Sequence, residues 1–286
     1  MKWLIIGWMY YKEKNHLDNM ISCELLGGLG NMLFQIASIE YMGYSYKFDT
    51  YYYNLLNQIN YLNNDSVHNP NLKHANEYLT MFKNFDWKIN SKCNAQLNLM
   101  HIPFNYVKVP AIDNTLYRGF FQCEEYFNNK EFIYKLFEPS DDIKKYLEKY
   151  TSILDDTTCS IHVRHGDYLK LNQIHHVQDL NYFNSSIDYM KNQGVKKFLI
   201  FSDNITWCKQ NFTSDEFHFI EDEKDYIELF LQSKCTHNII SNSSFSWWGA
   251  WLNKNKDKKV IAPKIWFTGE KNKEAKDIIP KSWIKI

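Results

Sequence analysis

The plainest periodicity lies in the second half of the chain. Short apolar runs at 159–163 (CSIHV), 198–202 (FLIFS), 217–220 (FHFI), 237–240 (HNII) and 259–262 (KVIA) predict strands. Helical spacing fills the gaps between them. Phe183, Ile187 and Met190 stand at i, i+4 and i+7 and predict a helix over 181–192. Further helices are expected near 205–211, over 224–234 (Tyr226, Leu229, Phe230, Ser233) and from about Phe245 to Leu252. A helix over 141–150 precedes the first of these strands. Strands that read as buried, alternating strictly with helices, indicate a parallel, doubly wound α/β sheet. In such sheets ligands bind at the carboxyl ends of the strands.

The first half carries a weaker pattern. A strand, ISCELL (21–26), leads into a glycine turn, GGLGN (27–31), and then an apolar helix over 32–42. Met32, Ile36 and Ile39 fit that helix, as do Leu33, Ile36 and Ala37. A helical segment around Glu131–Phe137 stops before Pro139. Residues 43–110 are rich in Tyr and Asn and give no readable element. The expected organisation is an extension at 1–19 without an assigned role, with Met20 as an alternative start, followed by units at 20–145 and 146–286.

Composition narrows the function classes. The 286 residues carry a net charge of zero, which excludes a strongly basic nucleic-acid footprint. No run of 18 apolar residues exists to span a membrane. The WLIIGWM run (3–9) is short for a signal peptide and lacks a following cleavage site, so secretion is not expected. Six cysteines without a CxxC pair suit buried thiols in a reducing, cytoplasmic setting. Lys-, Asn-, Tyr- and Ile-rich usage suggests an AT-rich genome, of a large virus or a bacterium; a virus would place the protein in its host's cytoplasm. Of 33 lysines and arginines only Arg118 and Arg164 are arginines. Such a retained arginine can sit where the point charge of lysine does not substitute for a planar fork.

Four motifs carry the candidate chemistry. HVRHGDY (162–168) ends a predicted strand, and its Arg164 offers paired donors to pyrophosphate oxygens. An ion-paired turn with a buried His162 accounts equally well for the same residues. Asp167 caps a turn, pairs with a ligand or accepts a proton. GGLGN lacks both a P-loop ending and the third glycine of a dinucleotide fingerprint. It reads as a plain turn, or as backbone brought close to a diphosphate with Asn31 near the helix start. SNSSFSWWGAWL (241–252) places hydroxyls before a helix, suited to capping or to an anion. Its tryptophans read as core. FSDN (201–204) sets Asp203 at a strand end, as ribose or guanine acceptor or as a cap. No D-x-D triplet, HExxH or G-x-S-x-G is present. Glu221–Asp222–Glu223 reads as solvated charge at a helix start. Arg118 is expected in a structural salt bridge.

In this order the motifs resemble those of the α-1,2-fucosyltransferases, glycosyltransferase family 11, from Ile21 to Ile286. Asn31-Met32-Leu33-Phe34-Gln35 follows the glycine turn with shifts at 32 and 33. LYRGFFQCEEYF looks like the family's Gly-Tyr-Phe-Gln stretch, and HVRHGDY departs from it at His165, often a second arginine. IHHV places His175 on a family histidine, FSDN departs at Asn204, and THNIISNSSFSWWGAWLN and IIPKSWIKI are close matches. The resemblance implies the GT-B fold of two facing Rossmann-like domains with parallel sheets. It implies inverting transfer from GDP-β-L-fucose to the 2-hydroxyl of a terminal galactose on a glycan, without a metal or other cofactor. It places Arg164, Asn31, Ser243, Ser244, Phe245 and Ser246 at the diphosphate, with Gly28 and Gly30 in the turn. His162 and Asp203 would line the guanosine site, and Asp167 and His175 are the candidate bases. Transfer of another GDP-hexose, or carbohydrate binding without catalysis, remains the alternative.

Overall fold

The computed structural model describes residues 19–64, 74–87 and 97–286. The WLIIGWM run and the extension at 1–19 lie outside them, apart from residue 19. Two all-parallel sheets organise the chain. The first has the order β2-β1-β4-β3, from β1 (Met20–Cys23), β2 (Asp49–Tyr52), β3 (Asn98–His101) and β4 (Thr115–Arg118). The second contains β5 (Thr158–Val163), β6 (Lys197–Ser202), β7 (Phe217–Phe219), β8 (His237–Ile239), β9 (Val260–Ala262) and β10 (Ile284–Lys285). Its order is β10-β9-β8-β5-β6-β7, and β5 is buried at every position.

The helices follow the expected alternation, with small shifts at their ends. They are α1 (Leu29–Tyr46), α2 (Leu55–Asn64), α3 (Lys130–Leu136), α4 (Asp141–Leu147), α5 (Leu180–Lys191), α6 (Ile205–Asn211), α7 (Asp225–Lys234) and α8 (Ser244–Trp251). Helix α1 begins three residues earlier than its apolar spacing suggested, directly on the glycine turn. Its first eleven residues are buried on nearly every side, as befits a helix between two layers. Gln35 joins it to the neighbouring loops, accepting from Leu26 N at 2.9 Å and donating to Gly119 O at 3.1 Å. β2, α2, β3, β4 and β10 had no counterpart in the sequence reading.

One aromatic core links the sheets. Phe34 of α1 lies 4.4 Å from Trp247 and 5.0 Å from Trp248 of α8, ring centroid to ring centroid. Phe127 stacks on Trp248 at 5.2 Å. The tryptophans of α8 are therefore core, as the sequence suggested. A Cβ on Gly30 would fall 2.4 Å from the backbone nitrogen of Phe245. The starts of α1 and α8 therefore touch, backbone against backbone, and only glycine fits between them.

Candidate active site

β5 is the switch point of the second sheet. β6 lies on one side of it and β8 on the other, so the loops after β5, β6 and β8 diverge around a crevice. Arg164 follows β5, Asp203 follows β6, and Ser241–Ser243 follow β8. Ser241 Oγ donates to His162 O at 2.7 Å and accepts from Arg164 N at 3.2 Å. Asp203 Oδ1 accepts from His165 N at 2.8 Å and Gly166 N at 3.1 Å. A Cβ on Gly166 would lie 2.5 Å from Asp203 Oδ2 and 2.9 Å from its Cγ, so a side chain there would push the Asp203 carboxylate from its place. The three strand-end loops are thus fixed to one another before any ligand arrives.

Across the crevice stands the glycine turn of the first sheet. Gly28 is the N-cap of α1 and Ser243 the N-cap of α8, and neither start carries a side-chain cap. Two sets of unsatisfied N–H groups and two positive helix ends therefore meet at one place. The cavity here encloses about 380 Å³. It is lined by Gly28, Gly30, Asn31, His162, Arg164, Asp167, His175, Asp203, Ser243, Ser244 and Phe245. Eleven of the twelve residues singled out from sequence thus converge on one cavity. Ser246 does not. It is fully buried, and its Oγ lies 3.3 Å from Ser243 O and 3.5 Å from Ser241 O, bonded inward within the helix start. The hydroxyl spacing alone did not reveal which face of α8 each serine takes.

The electrostatics are specific. Arg164 Nη2 is 2.7 Å from Asp167 Oδ1, and Nη1 is 3.0 Å from Asp203 Oδ2. Burial alone would favour loss of its proton, but Asp203 and Asp167 outweigh that and hold its pKa above the ordinary value. Its guanidinium also lies 5.4 Å from the Tyr168 ring. His162 is buried, its Nδ1 lacks a hydrogen-bond partner among the described residues, and burial drives its pKa down to about 3. It is therefore neutral and able to accept or donate one further bond. His175 stacks on Tyr168 at 4.2 Å, and burial lowers its pKa as well. Asn31 is tied to Gln122, accepting from Nε2 at 2.7 Å, beneath the Gly27 turn.

The comparisons with known proteins fit this geometry. The sequence pattern of Glycosyl transferase family 11 matches residues 4–286. The chain belongs to glycosyltransferase family 11. An O-antigen biosynthesis glycosyltransferase, WbnK, of Escherichia coli is 29% identical over 87% of this chain and 95% of its own length. An alpha-1,2-colitosyltransferase of Escherichia coli is 38% identical over 54% of this chain and 56% of its own. The fold is that of NodZ alpha-1,6-fucosyltransferase, whose structure was obtained from a crystal soaked with GDP-fucose. That structure superposes with a TM-score of 0.53 at 11% identity, over 82% of this chain and 92% of NodZ. This family 11 glycosyltransferase has the expected GT-B architecture, α/β with two parallel sheets. Among the described residues no helix is long and apolar enough to cross a membrane.

Several cavity residues escaped the sequence reading. Glu228 of α7 lines the cavity, and no described residue hydrogen-bonds or ion-pairs its carboxyl. Burial first, then Asp225, Glu223 and Asp203, raise its pKa well above the carboxylate range. The available signal was an acid inside the otherwise apolar IELFL run. His74 Nε2 meets Asp225 Oδ1 at 2.8 Å, and Tyr78 bonds the other oxygen of Asp225, so the first half grips the start of α7. Glu223 corrects an expectation. It is not solvated but largely buried, 2.6 Å from Lys149 Nζ, and accepts from Tyr146 and Tyr150. Arg118 pairs with Glu24 outside the cavity, the structural role expected of it.

Proposed function

We propose that this glycosyltransferase binds a GDP-sugar in the cavity at the two helix starts and transfers L-fucose from GDP-β-L-fucose to the 2-hydroxyl of a terminal galactoside. The observation that carries the reading is Arg164 at the switch point, facing two uncapped helix N-termini. A diphosphate offers oxygens that match the guanidinium fork and the free N–H groups together. As the anomeric bond breaks, negative charge grows on GDP, and preorganised donors stabilise it more in the transition state than in the ground state. Attack from the opposite face inverts the anomeric centre. In this reading the protein supplies the charge stabilisation, and the reaction needs no metal.

The nucleoside end belongs to His162, Asp203 and Glu228. Guanine presents two adjacent N–H donors on its pairing edge, N1–H and N2–H, and a carboxyl that gives up its proton as guanine binds accepts both. An unpartnered acid in the cavity wall suits that edge and opposes adenine, whose N1 is an acceptor. Colitose, named by one relative, is fucose without its 3-hydroxyl, so GDP-colitose is the specific competing donor. Comparing kcat/KM for the two donors separates these readings, and equal values would show that the cavity does not read the 3-hydroxyl.

Glu228→Gln tests the base assignment with two opposite changes. A carboxyl whose folded pKa is raised binds its proton more tightly folded than unfolded. Its stabilising contribution is present at acid pH and is lost as pH rises from the unfolded value through the folded one. At neutral pH the glutamine variant is therefore expected to melt no lower than the wild type, and higher where Glu228 is forced to ionise. GDP affinity is expected to fall by about tenfold or more, through loss of a charged hydrogen bond. Calorimetric titration and thermal melts read both. Unchanged GDP affinity would remove Glu228 from the guanine site.

A further inference from the structure

Five carboxyl groups line the cavity: Asp167, Asp203, Glu223, Asp225 and Glu228, beside the single arginine Arg164. A nucleoside diphosphate adds negative charge, so this set of carboxyls opposes the ligand assigned to it until a carboxylate moves aside or is neutralised. Glu223 is engaged by Lys149 and Asp225 by His74 and Tyr78, and in the GDP-sugar reading the guanine edge engages Glu228. The burden falls on the two acids that hold Arg164.

These two acids are held differently. Asp203 is fixed by His165 N and Gly166 N, and the close approach of Gly166 leaves it no room to turn toward that loop. Asp167 stands on a single helical turn, Asp167–Leu169. Its Oδ1 is 2.7 Å from Arg164 Nη2 but is misaligned for a hydrogen bond, and no other described group bonds that buried oxygen. Asp203 is an anchored partner, and Asp167 is held by charge.

We propose that a diphosphate reaching Arg164 displaces Asp167 but not Asp203, and that the released Asp167 carboxylate takes the proton of the acceptor hydroxyl. The inference rests on the GDP-sugar reading and adds an order of events to it. In the transfer step the acceptor O–H gives its proton to Asp167, and the acceptor oxygen bonds to the anomeric carbon. The bond from that carbon to the β-phosphate oxygen breaks, and its electron pair leaves with GDP. Released from the guanidinium, the carboxylate is free to face the acceptor hydroxyl, so donor binding itself frees the base. Asp203 remains a positioning residue for the Arg164 loop.

The test is calorimetric titration of the full chain with GDP, alongside the pH profile of kcat. Asp167→Asn is expected to bind GDP at least about threefold more tightly, because both the competing ion pair and the repulsion of the bound anion are gone. Its kcat is expected to fall by about 10²-fold, with loss of the acidic limb of the profile. Asp167→Ala repeats the tightening without an amide in place. Asp203→Asn is expected to bind GDP more weakly. GDP binding weakened in Asp167→Asn as in Asp203→Asn would show that Asp167 stays in the clamp and would overturn the exchange. Wild-type kcat in Asp167→Asn would overturn the proton transfer. Failure of the wild-type protein to bind GDP would instead overturn the nucleotide reading and the exchange with it.

Discussion

Arg164→Lys is expected to lower kcat by about 10²–10³-fold, the usual effect of removing one oriented transition-state donor, while the protein stays folded. The geometry explains why charge alone does not suffice. The guanidinium presents Nη2 to Asp167 at 2.7 Å and Nη1 to Asp203 at 3.0 Å. A diphosphate that takes the place of Asp167 meets Nη2 while Nη1 keeps Asp203, whereas an ammonium offers a single charged centre without that fork. The fold does not depend on the side chain to the same degree. The loop is fixed through Arg164 N to Ser241 Oγ and through Asp203 to His165 N and Gly166 N, and those bonds survive the substitution. Steady-state kinetics and a thermal melt check both halves. Turnover near wild type would remove Arg164 from the chemistry, and a collapse of the melting temperature would assign it a structural role instead.

Gly30→Ala is expected to damage folding and donor binding together. The added carbon would lie 2.4 Å from Phe245 N, 2.5 Å from Ser244 C and 2.7 Å from Phe245 Cα. All three are backbone atoms of the α8 start. They cannot yield alone, because Trp247 and Trp248 on the next turn are fully buried against Phe34 and Phe127. Overpacking of this kind costs about 1–3 kcal/mol, which for a chain of this size lowers Tm by about 2–4 °C per kcal/mol. The relief is a separation of the two helix starts, which spoils the convergence of N–H groups on the diphosphate. GDP affinity is expected to fall by about tenfold or more, the effect of losing a charge-assisted hydrogen bond. Gly28→Ala supplies the contrast. A Cβ there meets nothing within 4 Å, so its melting temperature is expected to equal or slightly exceed that of the wild type. Equal stability of the two variants would contradict the close approach.

The second sheet was legible because its strands are continuous apolar runs with helices of clear period between them. The first sheet was not, for local reasons. β3 is an edge strand whose four residues are mostly exposed, so NLMH shows no buried face. β4 is four residues long and keeps its register through β1 on one side and β3 on the other, which no local pattern announces. Helix α2 does show Leu55, Ile59 and Leu62 at helical spacing, and all three are buried. The asparagines around them lower its propensity and hid the signal.

The site divides the same way. Its strand-end residues could be placed because each motif follows a predicted strand. Glu228 and His74 could not, since each reaches the cavity from a segment with no motif of its own. The pairing of Arg164 with Asp203 is likewise a property of three-dimensional proximity between two loops, 39 residues apart in the chain, whereas Asp167 is its i+3 neighbour. Ser246 shows the converse. Its place in a hydroxyl cluster suggested a ligand contact, and the rotation of α8 turned it into the core.

The most direct measurement is the linkage of the product formed from GDP-fucose and a panel of terminal galactosides, by the full chain, with glycosidic bonds assigned by nuclear magnetic resonance. The account predicts an α-linked fucose on the galactose 2-hydroxyl, formed by the wild type and almost absent with Arg164→Lys. Product in which the fucose is β-linked or sits on another hydroxyl, or equal product from the Arg164→Lys variant, would contradict it.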